Sequence, residues 1–127
     1  MPGRHGRRWG QSRRAVRMLE PTLLLLLHRG PTHGYTLLEQ LADFGLADLH
    51  PSVIYRALND MEGQGWLSSS WGEQATQGPP RRVYHLTALG NEVLSSWIKD
   101  LEETQSHVEQ LLEAYRQHMK EGEGEHH

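Results

Sequence analysis

Residues 49–89 hold the pattern that most narrows the choice of fold. The order is an amphipathic helix, two glycines, a strand, a Gly/Pro loop with two arginines, a second strand and a hydroxyl cap. His50 stands at an N-cap position and Pro51 at the first helical position, where a missing N–H costs little. Ile54, Ala57, Leu58 and Met61 then recur at three- and four-residue spacing and form one apolar stripe. Ser52, Tyr55, Arg56 and Asn59 fall on the opposite face, polar enough to meet solvent or a partner. Gly63 and Gly65 close the helix, as a left-handed C-terminal turn requires.

Trp66 to Trp71 and Arg82 to Leu86 read as two short strands joined by a loop with Gly72, Gly78, Pro79 and Pro80. Alternation puts Leu67, Ser69 and Trp71 on one face of the first strand, and sets Val83 and His85 against Tyr84 and Leu86 in the second. Arg81 and Arg82 follow two prolines that stiffen their approach, and arginine's planar fork suits phosphate or a narrow minor groove. The bland alternative for the pair is a solvated loop exit. A polar-faced helix followed by a hairpin with a basic tip predicts a mostly helical α+β fold. It is a winged helix-turn-helix of three helices and a β-hairpin wing, a layout used to read DNA.

The flanking segments fit that plan. A first helix is expected from about Arg14 to His28, with Pro21 marking its firm start. Leu23 to Leu27 is apolar all round, so this helix should be buried on most sides. Arg29-Gly30-Pro31 breaks it, and Thr32 is the expected cap of a second helix with Tyr35, Leu37, Leu38, Leu41 and Phe44 as its apolar residues. His33 is a candidate phosphate contact at that helix start, with a structural role as the alternative. Short links between the helices suit a helix-turn-helix.

Thr87 is the expected cap of a last helix running to about Met119. Leu94, Trp97, Leu101, Thr104, Val108, Leu111 and Tyr115 alternate spacings of three and four, a heptad seam widened by Val93, Ile98, Leu112 and Met119. A seam this long projects beyond a small body and needs a partner, and a second copy related by two-fold symmetry is the simplest. The expected organisation is a basic flexible arm over 1–18, a DNA-binding domain over 19–90, a dimerisation helix over 91–120 and a disordered tail over 121–127.

Charge is divided unevenly. The 127 residues carry a net −3, yet six arginines (Arg4, Arg7, Arg8, Arg13, Arg14 and Arg17) stand in the first 18 positions with no acid among them. The remainder holds seven basic against 16 acidic residues. A basic arm on an acidic body suits phosphate, the bland alternative being a solubilising tail. Trp9 is an aromatic within that arm. The absence of cysteine excludes disulfides, thiolate zinc sites and thiol redox chemistry. No run approaches the roughly 18 apolar residues of a membrane span, so no membrane partner and a cytoplasmic location are expected.

The residues carrying these motifs resemble the PadR family of bacterial winged-helix transcription regulators, in its short form with a single C-terminal helix. The matching residues are Leu23–Leu27 with Gly30-Pro31-Thr32-His33-Gly34-Tyr35, then Val53-Ile54-Tyr55-Arg56-Ala57-Leu58. Met61-Glu62-Gly63-Gln64-Gly65-Trp66-Leu67 and the run from Gly78 to Gly90 complete the match, over roughly residues 19 to 100. His50 replaces the small hydroxyl cap expected there, and Ser52 replaces a common glycine. The resemblance implies a homodimeric repressor acting on double-stranded DNA, joined through the C-terminal and N-terminal helices. It also implies a small aromatic or apolar effector, for which Trp97 is the candidate contact and Trp9 a second; an aromatic at heptad spacing is otherwise interface core.

In such a dimer Ser52, Tyr55, Arg56 and Asn59 are the candidate base-edge and nearby phosphate contacts. Arg56 matches guanine and Asn59 adenine in donor and acceptor geometry. Arg81, Arg82 and the arm would add sequence-independent phosphate contacts. Leu94, Trp97, Leu101, Val108, Leu111 and Tyr115 are the expected dimer interface. Two rivals remain. A metal-responsive regulator is disfavoured because His107 and His118, though on one face, lie about 16 Å apart along a helix. A dimeric protein-interaction module without DNA reading is the other, since fold is not function. No nucleophile motif, phosphate-binding glycine loop or carboxylate pair suggests an enzyme, and no cofactor or metal is expected.

Overall fold

The computed structural model describes the backbone of residues 2–71 and 81–125, and the side chains of 15–71 and 81–123. The elements in order are α1 (Pro2–His28), β1 (Thr32–His33), α2 (Gly34–Leu41), a 3-10 turn (Ala42–Phe44), α3 (Pro51–Gly63), β2 (Leu67–Trp71), β3 (Arg82–Leu86) and α4 (Ala88–Glu125). They form two compact units, Met1–Leu94 and Ser95–His127. Three helices and an antiparallel wing make the first unit a winged helix-turn-helix.

The core of this unit is built from the apolar stripes. Leu19, Leu23, Leu24, Leu26 and Leu27 of α1 are buried within the single chain, as the run of leucines predicts. Leu37 and Leu41 of α2 and Ile54, Leu58 and Met61 of α3 meet them, with Leu67 and Tyr84 supplied by the sheet. Each such side chain contributes roughly 1.5–3 kcal/mol on removal from water. Thr22, a buried polar residue, donates its hydroxyl to the Met18 carbonyl at 2.6 Å and so leaves no unmet donor.

The caps are local chemistry. The imidazole Nδ1 of His50 accepts the Ser52 amide at 3.1 Å, so histidine supplies the cap that a hydroxyl was expected to give. At the other end of α3, Trp66 N–H reaches the Met61 carbonyl at 3.0 Å and Gly65 N–H reaches Glu62 at 3.0 Å. That paired closure places Gly65 at φ +83°, where a side chain would be strained. Thr87 caps α4 by accepting the Gly90 amide at 3.0 Å, and its hydroxyl lies 2.6 Å from the Gly65 carbonyl oxygen and 2.9 Å from that of Trp66. One side chain thereby joins the exit of α3 to the start of α4.

Four expectations are corrected. Thr32 does not cap α2; it pairs with Tyr84, and His33 pairs with Val83, so a two-residue β1 joins the hairpin in a three-stranded sheet of order β1-β3-β2. The N-cap of α2 is His33, without a side-chain hydrogen bond. Tyr35 and Phe44 are exposed, not part of the apolar face of the second helix, because α2 ends at Leu41 and its buried side is carried by Leu37 and Leu41. Pro21 lies inside α1 instead of starting it. The helix runs from Pro2, a tolerated first helical position, and so takes in the Arg-rich stretch read as an arm.

In the hairpin Leu67 pairs with Leu86, Ser69 with Tyr84 and Trp71 with Arg82, the expected alternation. In the second unit α4 continues as one uninterrupted helix to Glu125. It exposes Ile98, Val108, Leu111, Leu112, Tyr115 and Met119. Leu94, expected in a dimer interface, is only 7% exposed in the single chain and belongs to the core of the first unit.

Candidate nucleic-acid interface

The stripe of α3 that packs inward decides what its other face presents. With Ile54, Leu58 and Met61 buried, Ser52, Tyr55, Arg56 and Asn59 are all exposed. Ser52 is also drawn to the cap, its hydroxyl 2.8 Å from the His50 ring. Arg56 and Asn59 sit one turn apart on the same exposed face, with no partner that competes for their forks among the described contacts. Arginine and asparagine there present the donor and acceptor pairs that base edges in a major groove require.

Tyr55 differs from its neighbours. Its ring leans on the start of α2, and a Cβ on Gly34 would lie 2.9 Å from its Cε1. The glycine therefore makes the space that the phenol occupies. Tyr55, Tyr35 and Tyr84 line an open recess of about 290 Å³ together with His33-Gly34, Arg81 and Arg82.

The two arginines, adjacent in sequence, are put to different uses. Arg82 donates through Nη2 to Glu62 at 3.0 Å and through Nε to the Ser69 hydroxyl at 2.9 Å, while Ser69 donates to the same carboxylate at 2.7 Å. Strand alternation turns Arg82 inward, to the face it shares with Trp71 and Ser69. Its guanidinium also lies 5.6 Å from the Tyr84 ring centroid and 5.8 Å from that of Trp71. Arg81 is exposed and reaches the other way. Its Nη1 donates to the Tyr35 hydroxyl at 2.8 Å, and its guanidinium lies over the same ring at 4.8 Å.

Tyr35 in turn stacks on His33, with centroids 5.4 Å apart and planes within 15°. The His33 Nδ1 is buried with no hydrogen-bond partner. Burial pushes the Tyr84 phenol above its ordinary pKa, against the opposing charge of Arg82. His33 thus lines the recess with its ring stacked on Tyr35, an arrangement that agrees with the structural alternative read for it from the sequence.

The structure brings Tyr55, Arg81, Arg82 and His33 together around one recess. Arg56, Asn59 and Ser52 stand beside it on α3. The linkage of Arg82 to Glu62 across 20 residues, and of Arg81 to Tyr35 across 46, was not foreseen. The loop over 72–80 and the side chains of Trp9, Arg4, Arg7, Arg8, Arg13 and Arg14 lie outside the described residues. Trp97 and Leu101 are half-buried, while Val108, Leu111 and Tyr115 are exposed. Among the described residues no group of three or more His, Asp or Glu could hold a metal ion. No described helix is long and apolar enough to cross a membrane.

Solved structures share this architecture. A PadR family transcriptional regulator from Eggerthella lenta is 26% identical, with a TM-score of 0.69 over 88% of this chain and 97% of that one. A PadR-like transcription factor from Bacteroides fragilis is 33% identical, with a TM-score of 0.62 over 77% of this chain and 96% of its own. Bacillus subtilis PadR, in complex with operator DNA, is 25% identical with a TM-score of 0.57, over 65% of this chain and 47% of that one. No curated protein matches the chain. The model of the transcriptional regulator PadR-like family matches residues 23–96, from the leucine run of α1 through the wing and into α4. The family is one of transcription regulators and not of enzymes, and by this match and these structures the chain belongs to it.

Proposed function

We propose that this chain is a homodimeric, sequence-specific DNA-binding regulator that reads a pseudo-palindromic operator with α3 and represses transcription. The observation that carries the reading is the exposed face of α3, where Arg56 and Asn59 stand free beside a recess holding Arg81. Support comes also from the Bacillus subtilis relative, which was solved on operator DNA. Base edges fall to Arg56 and Asn59, with Ser52 at the helix start. Arg81 and the arginines of α1 supply phosphate contacts that weaken with salt.

The exposed seam of Val108, Leu111 and Tyr115 is the proposed meeting surface of two copies, with Leu112 and Met119 beside it. A dimer sets two copies of α3 in successive major grooves about 34 Å apart. Release by a small aromatic or apolar effector belongs to the same proposal, with Trp97 as the contact to test; such a ligand acts only through different affinity for two arrangements of the dimer.

The test is selection of bound DNA from a random duplex pool by wild-type protein and by an Arg56→Ala, Asn59→Ala variant. A two-fold symmetric motif that blurs in the variant is the expected result. Equal enrichment by both proteins would take base reading away from Arg56 and Asn59, and no enrichment by either would transfer the recess and wing to a protein partner.

A further inference from the structure

We infer that the recess between α2, α3 and β3 seats one backbone phosphodiester of the bound duplex. In it Arg81 is the cation and Tyr35 the positioning residue that holds Arg81 in place. The inference rests on the DNA-binding reading above and narrows it to one contact.

Charge decides the ligand class. Two guanidinium groups line the recess. Arg82 is neutralised by Glu62 at 3.0 Å. Arg81 meets no carboxylate among the described residues, and none lines the recess. The recess thus keeps one positive charge, the complement of a phosphodiester's single negative one. The recess is open to solvent, so a phosphate can reach Arg81 from outside.

Geometry decides who holds whom. The Tyr35 hydroxyl accepts one N–H of Arg81 and its ring takes the cation's face, so the side chain is fixed without loss of charge. The other N–H groups of the fork remain to meet phosphate oxygens. An arginine held in one geometry before binding avoids the ordering cost that a free surface arginine meets on contact. His33 stacks on the face of Tyr35 with centroids 5.4 Å apart. The Tyr55 phenol, lodged over Gly34, brings a neutral donor into the same recess from α3. Tyr55 is thereby assigned to the backbone and not to a base edge. It ties the register of the reading helix to one phosphate.

The experiment compares wild type with Arg81→Ala, Tyr35→Phe and Tyr55→Phe on a duplex carrying the selected motif. Companion duplexes carry a single methylphosphonate per half-site, scanned along both strands, which removes one backbone charge and leaves every base pair intact. One symmetry-related pair of positions should weaken wild-type binding roughly tenfold, since a charged hydrogen bond is lost. In Arg81→Ala that penalty should shrink to under about twofold, and the salt slope should flatten by about 0.9 per subunit. Tyr35→Phe keeps the ring and loses the acceptor, so its penalty should fall between the two. Tyr55→Phe should weaken specific and random duplexes by the same factor.

A penalty undiminished in Arg81→Ala overturns the seat. Tyr35→Phe indistinguishable from wild type removes Tyr35 as the positioning residue. A Tyr55→Phe loss confined to the selected motif returns Tyr55 to base reading. Normal binding with no sensitive position overturns the seat alone, whereas no binding of the unmodified duplex overturns the DNA reading itself. Thermal stabilisation by inorganic phosphate in wild type but not in Arg81→Ala, without a sensitive duplex position, would assign the recess to a free anion and also overturn the seat.

Discussion

The Glu62 carboxylate, on the last turn of α3, takes the Arg82 guanidinium at 3.0 Å and the Ser69 hydroxyl at 2.7 Å. The three groups come from three elements, so the root of the wing is tied to the end of the reading helix. Both ionic partners are partly exposed, at 39% and 28%, which limits the pair to the upper part of the range for surface ion pairs. Arg82→Met should cost about 1 kcal/mol, read as a lower urea midpoint with unchanged slope. Glu62→Gln should cost a similar amount and leave the Arg82 charge unneutralised beside Arg81, so random-duplex affinity should rise and its salt dependence steepen. A variant of Arg82 that keeps full stability but loses DNA affinity would make this arginine a DNA contact first.

Two glycines separate a movable neighbour from an immovable one. A Cβ on Gly34 would meet the end of the Tyr55 ring, which can swing outward. Gly34→Ala should therefore cost little stability, about 1 kcal/mol, and displace Tyr55. A Cβ on Gly90 would overlap the Trp66 carbonyl oxygen and crowd Leu86, and a backbone atom cannot step aside. Gly90→Ala should cost about 3 kcal/mol, because the cap on α4 and the exit of α3 are packed through that point. Urea denaturation of the two variants side by side checks the ranking.

The apolar seam of α4 leaves Leu111 70% and Tyr115 62% exposed. If two copies meet along it, a Leu111→Lys, Tyr115→Lys variant should sediment at the single-chain mass with the helical signal of its first unit intact. Its affinity for a two-half-site duplex should fall more than about a hundredfold, because half-sites bound separately lose their effective concentration. Unchanged sedimentation would place the partner of this seam elsewhere.

Tyr84 gives a pH dependence with a defined sign. Burial raises its pKa above the ordinary value, so the folded state holds the phenolic proton more tightly than the unfolded chain. Its contribution is complete below the unfolded value of about 10 and is lost as pH rises through the folded one. Thermal midpoints should fall more steeply above about pH 10 in wild type than in Tyr84→Phe. Parallel curves for the two proteins would show that another group governs alkaline unfolding.

What the sequence by itself determined is everything that repeats within a few residues. The stripe of Ile54, Leu58 and Met61, the His50-Pro51 start, the Gly65 stop, the two hairpin strands and the α4 heptads are all local periodicities or caps. They settle which face of α3 is inward and so which side chains are offered outward. Tertiary structure alone decided the pairings between distant positions. Thr32 and His33 carry no strand signal in two residues, yet β3 offers them a free edge. Tyr35 reads as an apolar helix residue until Arg81, 46 positions away, arrives over its ring. Arg81 and Arg82 are indistinguishable as neighbours in sequence. The pleat turns one toward Glu62 and leaves the other outside, a difference that exists only once the sheet has formed.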